Sequence, residues 1–257
     1  MTFNQLILNL YEKFIKREYF KIEEAENKVE NSLQIYYDNK YPKVNILWSG
    51  RSLPFSKQKV SVPVSDLITP NNYRINKLLE NWKFDLNEDF ETLIPKIYNK
   101  IRTSYYKYTS DKLTWGQPDV WEFPFEAFYQ IDRNKGLDCD SWAIFQTSFY
   151  LASGLPSWRV RCVAGNTPLG GHLTVYIFSF KDSSWHHLNS TYGRKYDNIS
   201  SFPTTEDAGN LDNIGITNVW FSFNDLYSWH KFITKEDEKT FKTKKNKDKN
   251  IIIEKNK

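Results

Sequence analysis

The segment that most constrains the fold runs from Gly136 to Gly165, where the apolar period changes from that of a helix to that of a strand. Trp142, Ala143, Phe145, Phe149 and Ala152 recur at three- and four-residue spacings, which predicts a helix packed on a core, and Gly154 and Pro156 supply its stop. Past that stop, Trp158, Val160 and Cys162 alternate with Arg159, Arg161 and Val163 as in a strand. His172 to Phe180 reads as a second strand, Lys181 to Ser184 as a turn, and Trp185 to Thr191 as a returning strand. A helix followed by antiparallel strands predicts an α+β domain.

Flanking patterns extend this reading. Phe90, Leu93, Ile94, Ile97, Tyr98 and Ile101 predict a helix ending near Tyr105, with Pro95 kinking it or opening its regular part. Asp111 to Pro124, rich in Gly, Pro, Asp and Trp, reads as an ordered irregular segment of the kind that lines sites. Short strands are expected over Val44 to Trp48 and Val60 to Val64, and a last strand over Val219 to Phe223, with Trp229 and Phe232 anchoring the end. Phe3, Leu6, Ile7, Leu10 and Phe14 fall on one helical face, so one or two exposed helices open the chain.

Cys139 stands at the expected first turn of the central helix, among backbone N–H groups that favour an anion, and this predicts a thiol pKa below the free value of about 8.5. A thiol nucleophile needs a base that takes its proton and later protonates the leaving group, and the base needs an orienting partner. Cys139, His172 and Asn189 can fill those roles, because an asparagine oxygen orients an imidazole without adding charge. Pairing Phe180 with Trp185 puts His172 and Asn189 on one face but sets Asn189 opposite Tyr176, about 13 Å along the strand from His172. A bulge, a curled strand or a different turn register is then needed to join them.

Composition narrows the function classes. A chain of 257 residues can bury one sizeable core, and 17% aromatic content predicts a core heavy in rings. The net charge of +4 arises entirely from Lys235 to Lys257, where nine lysines face five acids, so 9 − 5 = +4. That segment reads as a solvated tail, and specific nucleic-acid binding is not expected. Two cysteines without a CxxC pair and four histidines without HExxH spacing indicate free thiols and no zinc centre. No secretory leader or bilayer-length apolar stretch is visible, so a cytoplasmic protein, or one released or packaged with a particle, is expected.

Three blocks now stand together: the cysteine helix with Ala143 and the Gly154-Leu155-Pro156 break, Gly171-His172 opening a strand, and Trp185 to Thr191. They resemble the core of the transglutaminase-like cysteine hydrolase superfamily. Upstream, Tyr108, Asp111, Gly116, Asp119, Trp121, Pro124 and Glu126, before Asp138-Cys139-Asp140, resemble its bacterial and phage transglutaminase-like cysteine peptidases. The resemblance spans roughly Glu88 to Trp229. It departs at Asn189, where aspartate is usual, and at Leu137, where a second glycine is common.

The resemblance implies a papain- or transglutaminase-like core, with the nucleophile helix packed on an antiparallel sheet and a helical N-terminal extension. The organisation expected is an accessory region over 1–85, the catalytic-type domain over 86–234 and a lysine-rich tail over 235–257. Cys139 would be nucleophile, His172 base then acid, and Asn189 the orienting residue. The Cys139 N–H, with Gln117 or the Trp121 indole, would stabilise the oxyanion. The implied activity is thiol-dependent hydrolysis of a peptide or side-chain amide in a protein, a peptide or a peptidoglycan peptide. Acyl transfer on the same site, or a non-catalytic structural or binding protein associated with a phage particle, are the alternatives. No cofactor is required. Calcium binds near the cysteine in one branch of those peptidases, but Asp138 and Asp140 alone are too few ligands to establish a site, and helix capping by Asp138 with first-turn dipole stabilisation by Asp140 accounts for them. Residues 1–85 would dock partners, and no membrane association is expected.

Overall fold

The chain from Cys139 to Ala152 is buried on nearly every side, and a helix apolar all round belongs at the centre of a protein. The computed structural model describes residues 43–52, 59–182, 184–189, 191, 195–204 and 216–230. The helices expected over Phe3 to Glu30, the lysine-rich tail and Phe232 lie outside those residues. The described strands are β1 (Lys43–Val44), β2 (Leu47–Ser52), β3 (Lys59–Pro63), β4 (Val160–Thr167), β5 (Gly170–Ser179), β6 (Ser184–Leu188), β7 (Asn218–Phe223) and β8 (Ser228–Trp229). The helices are α1 (Tyr73–Trp82), α2 (Phe90–Tyr105), α3 (Asp111–Thr114), α4 (Pro124–Asp132) and α5 (Cys139–Ala152).

The fold is α+β. A six-stranded sheet in the order β1-β8-β7-β4-β5-β6 is antiparallel at every pairing, and β2 and β3 form a separate two-stranded ribbon. Helix α5 lies on one face of the large sheet, over Cys162 and Ala164 of β4 and Leu173, Val175 and Ile177 of β5. Helices α1, α2 and α4 cover the rest of α5. The core is dominated by rings, with Trp142, Trp185, Trp229, Tyr98, Phe145 and Phe149 fully buried. Among the described residues no helix is long and apolar enough to cross a membrane.

Helices α1, α3 and α4 are absent from the sequence reading, and α1 and α4 have local causes. The Asn72 side chain accepts the Arg74 and Ile75 N–H groups at 3.0 and 3.3 Å and so starts α1. Pro124 opens α4, and the Glu126 carboxylate reaches back to the Phe123 N–H at 2.9 Å.

Strand β1 supplies an edge of the large sheet, while Val64, Leu67, Ile75 and Leu79 join the core, so the described residues between Lys43 and Asp85 contribute apolar surface to the same body as α5. Trp82 stacks on Phe149 of α5 at 5.3 Å.

Candidate active site

Gly136 and Leu137 deliver the chain into α5 through a short parallel contact with the Lys107 to Thr109 segment. The Leu137 N–H donates to the Lys107 carbonyl at 3.0 Å, and the Thr109 N–H donates to the Leu137 carbonyl at 3.1 Å. A Cβ on Gly136 would sit 2.1 Å from the Lys107 oxygen, so only glycine allows this approach. Leu137, where a second glycine is common in the resembling family, is a core residue with 1% exposure. Asp138 caps α5 by accepting the Ser141 N–H at 3.4 Å, and Cys139 is its first residue.

Cys139 is half-buried and a free thiol. The backbone N–H groups of Leu173 and Asp140 face its sulfur and favour the anion. Burial outweighs them, and the Asp138 and Asp119 carboxylates add to it, pushing the thiol up to about 11. This corrects the expected lowering: the helix N-terminus is present, but its field is weaker than the cost of burying a thiolate beside acids. Cys162 is buried, shares a 3.2 Å contact with the Thr147 hydroxyl, and is also free.

Leu173, whose N–H faces the sulfur, follows His172 directly on β5. The imidazole is 9% exposed, and its Nε2 has no hydrogen-bond partner, so neither Cys139 nor Asn189 engages that nitrogen. Burial alone pulls His172 down to about 4, leaving it neutral at physiological pH.

The β5–β6 register differs from the expected one by two residues. Phe178, not Phe180, faces Trp185, and Val175 faces Leu188. The ladder ends at the Val175–Leu188 pair, and carrying that register one residue further would set Asn189 opposite Thr174, two residues from His172 instead of four and on the same face. Asn189 is held from both ends: its Oδ1 accepts the Thr191 N–H at 2.8 Å, and its carbonyl accepts the Tyr98 hydroxyl of α2 at 3.0 Å. His186 and His187 alternate across the sheet. His186 sits between Asp182 and the Phe202 carbonyl, His187 against Thr174, and His230 is exposed.

Trp121 is a packing residue, stacked on Trp48 at 4.9 Å and near Phe221 and Phe223, and its indole N–H is engaged by the Asp119 carboxylate. It is therefore not a free oxyanion donor. Gln117 is half-buried in the same irregular segment.

The sequence reading missed a shell of acids around the start of α5. Asp111, Asp138 and Asp140 each offer a carboxylate oxygen, and these lie within 4.8 Å of one another. Burial, followed by the Asp138 charge, raises Asp111 to about 9. Burial also raises Glu122 to about 8, although Trp115 and Ser141 donate to it, and Glu122 Oε2 has no partner. Among the described residues no Lys, Arg or His forms an ion pair with Asp111, Asp119, Glu122, Asp138 or Asp140. Asp111, in the segment read as site-lining, was the available signal, but its distance in sequence hid its proximity to Asp138.

The fold and site together define an α+β protein with a cysteine at the head of a central helix, against the opening of a sheet strand that carries a histidine. No family model matches the chain, and no curated protein sequence matches it. Solved structures of Legionella pneumophila LapG are similar. The EGTA-treated form is 20% identical with a TM-score of 0.42, covering 64% of this chain and 87% of that one. The calcium-bound form is 19% identical with a TM-score of 0.41, covering 63% and 88%. A third LapG structure is 18% identical with a TM-score of 0.43, covering 70% and 98%.

Proposed function

We propose that this protein is a thiol-dependent amide hydrolase of the transglutaminase-like class, a peptidase or amidase acting through Cys139, His172 and Asn189. The carrying observation is the placement of the Cys139 sulfur at the Leu173 N–H, one residue beyond His172, with Asn189 directly following the last β6 residue paired to that strand. Burial pushes the thiol up and the imidazole down, which favours a general-base route over a preformed ion pair. As Cys139 Sγ attacks the amide carbon, its proton passes to His172, which then delivers it to the departing amine; water hydrolyses the thioester by the reverse path. The Cys139 backbone N–H at the head of α5 faces the developing oxyanion. An amine in place of that water would make the same site an acyl transferase.

The acid shell fits a hard divalent cation, since Asp111, Asp138 and Asp140 present oxygens within 4.8 Å and Glu122 keeps an unpartnered oxygen. A bound calcium ion would supply positive charge to the carboxylates that otherwise hold the thiol up. Calcium is expected to raise the melting temperature and EGTA to reverse it; identical melts in both would remove this assignment.

A second reading, a non-catalytic protein that retains the fold, is favoured by the raised thiol and the unengaged His172. Alkylation of Cys139 by iodoacetamide at pH 7.5, compared with His172→Ala, separates the two. The hydrolase reading expects the wild-type rate to exceed that of the variant by tenfold or more. Equal rates, both at or below that of a free thiol, favour the non-catalytic protein.

A further inference from the structure

Strand β7 carries a bulge beside the proposed site. Ala164 faces Phe221 and Gly165 faces Val219, which leaves Trp220 without a partner on β4. Its indole crosses β4 and lies over Gly171 of β5, where a Cβ would sit 2.9 Å from the ring carbon Cη2. Side chains alternate along a strand, so Gly171 shares a face with Leu173, and Leu173 packs in the core under α5. The indole is therefore on the core face of the sheet, while the Leu173 N–H that faces the Cys139 sulfur lies in the plane of the strand, between that face and the one that carries His172. Two residues of strand separate Gly171 from the N–H that faces the Cys139 sulfur, about 6.6 Å.

The other eight tryptophans are buried or half-buried, yet Trp220 is 48% exposed and Leu169, in the adjoining β4–β5 turn, is 68% exposed. Burying these two where they stand would need an apolar partner. Asp119 and Asp138, whose charges reach Cys139, disfavour an acidic group near the sulfur.

We infer that Trp220, with Leu169 and the bare backbone of Gly171, forms a substrate subsite that receives a large apolar side chain, aromatic for preference, next to the amide attacked by Cys139. The inference rests on the hydrolase reading for its substrate. Aromatic contact on an indole face contributes about tenfold in selectivity. The glycine is part of the device, because any side chain at 171 would displace the ring that forms the floor.

The test uses two iodoacetamides, N-methyl and N-benzyl, with Cys139 alkylation followed by mass spectrometry and each rate divided by that of a free cysteine peptide. The benzyl-to-methyl ratio is expected to be about ten in the wild type, to fall to about one in Trp220→Ala, and to persist in Trp220→Phe, which keeps a ring and guards against a folding defect. A ratio of about one in the wild type, or an unchanged ratio in a folded Trp220→Ala, overturns the subsite. The parent reading is scored separately by the methyl-probe rate in His172→Ala, so either can fail while the other stands.

Discussion

Tyr98→Phe is the most informative single substitution, because it removes the one oxygen that supports the Asn189 carbonyl, together with that oxygen's contact with Arg102, and leaves the ring in place. The Tyr98 hydroxyl donates to the Asn189 carbonyl at 3.0 Å, and the two residues are 0% and 8% exposed. Burial holds the phenol well above its ordinary value, so it remains a donor throughout the usable pH range. The ring contacts with Phe202 at 5.1 Å and Tyr196 at 6.1 Å survive the change. Losing the bond costs about 0.5–1.5 kcal/mol, and stranding a buried carbonyl can bring the total to about 1–3 kcal/mol. For a body of this size each kcal/mol lowers the melting temperature by about 2–4 °C, so calorimetry should show a fall of about 2–12 °C. If Asn189 orients His172, kcat/KM for amide hydrolysis also falls, by about tenfold. A melting temperature within 1 °C of wild type would refute the energetic reasoning. A lowered melting temperature with unchanged kcat/KM would instead refute the role of Asn189.

Three further perturbations test other joints of the structure. Glu91 pairs with Arg159 at 2.8 Å in a buried site and accepts the Phe180 N–H at 3.0 Å, so Glu91→Ala should cost about 3–5 kcal/mol by urea unfolding, while Glu91→Leu with Arg159→Met restores most of it. Gly136→Ala drives a Cβ into the Lys107 carbonyl and should displace the head of α5, with at least a tenfold loss of Cys139 alkylation rate; a wild-type rate would show that the approach to the helix is not fixed there. Burial lowers the proton affinity of His186, but Asp182 and the Phe202 carbonyl outweigh it and the net shift is upward; Asp182, raised by burial, is lowered on balance by His186. The histidine's contribution is complete below about pH 6.5 and lost as pH rises through its raised folded value, and that of Asp182 is complete above about pH 4 and lost as pH falls through its lowered one. The melting-temperature difference between wild type and His186→Asn should therefore peak between about pH 4 and 6.5, and a difference independent of pH would contradict the pairing.

The features legible in the sequence were those set by near neighbours along the chain. The apolar spacing of α5 and its Gly154-Leu155-Pro156 stop, the period-2 runs of β4 and β5, and the helix ending at Tyr105 depend on residues within a few positions of one another. The β5–β6 register was missed by two residues because side chains hold the turn open. Asp182 accepts the Ser184 N–H at 3.2 Å and contacts His186 Nε2 at 2.8 Å, and the Ser179 hydroxyl accepts the Lys181 N–H at 3.2 Å. These contacts leave Phe180 outside the ladder, and the slip brings Asn189 toward His172.

The thiol shows the limit more sharply, since the local rule for a helix N-terminus predicts a lowered pKa and the N–H groups that justify it are present. The opposing effects are burial, which packing from distant segments produces, and two carboxylates, Asp138 beside the cysteine and Asp119 about twenty residues earlier in the chain. A cysteine at a helix head is therefore activated only where its surroundings are electropositive or open, and here they are buried and acidic. Within the hydrolase reading, that places the control of reactivity in the acids as much as in His172, since whatever neutralises Asp138 also lowers the cost of forming the thiolate. Replacing an acid and binding a cation should then shift Cys139 reactivity in the same direction, whereas opposite shifts would show that the shell acts on the fold and not on the sulfur.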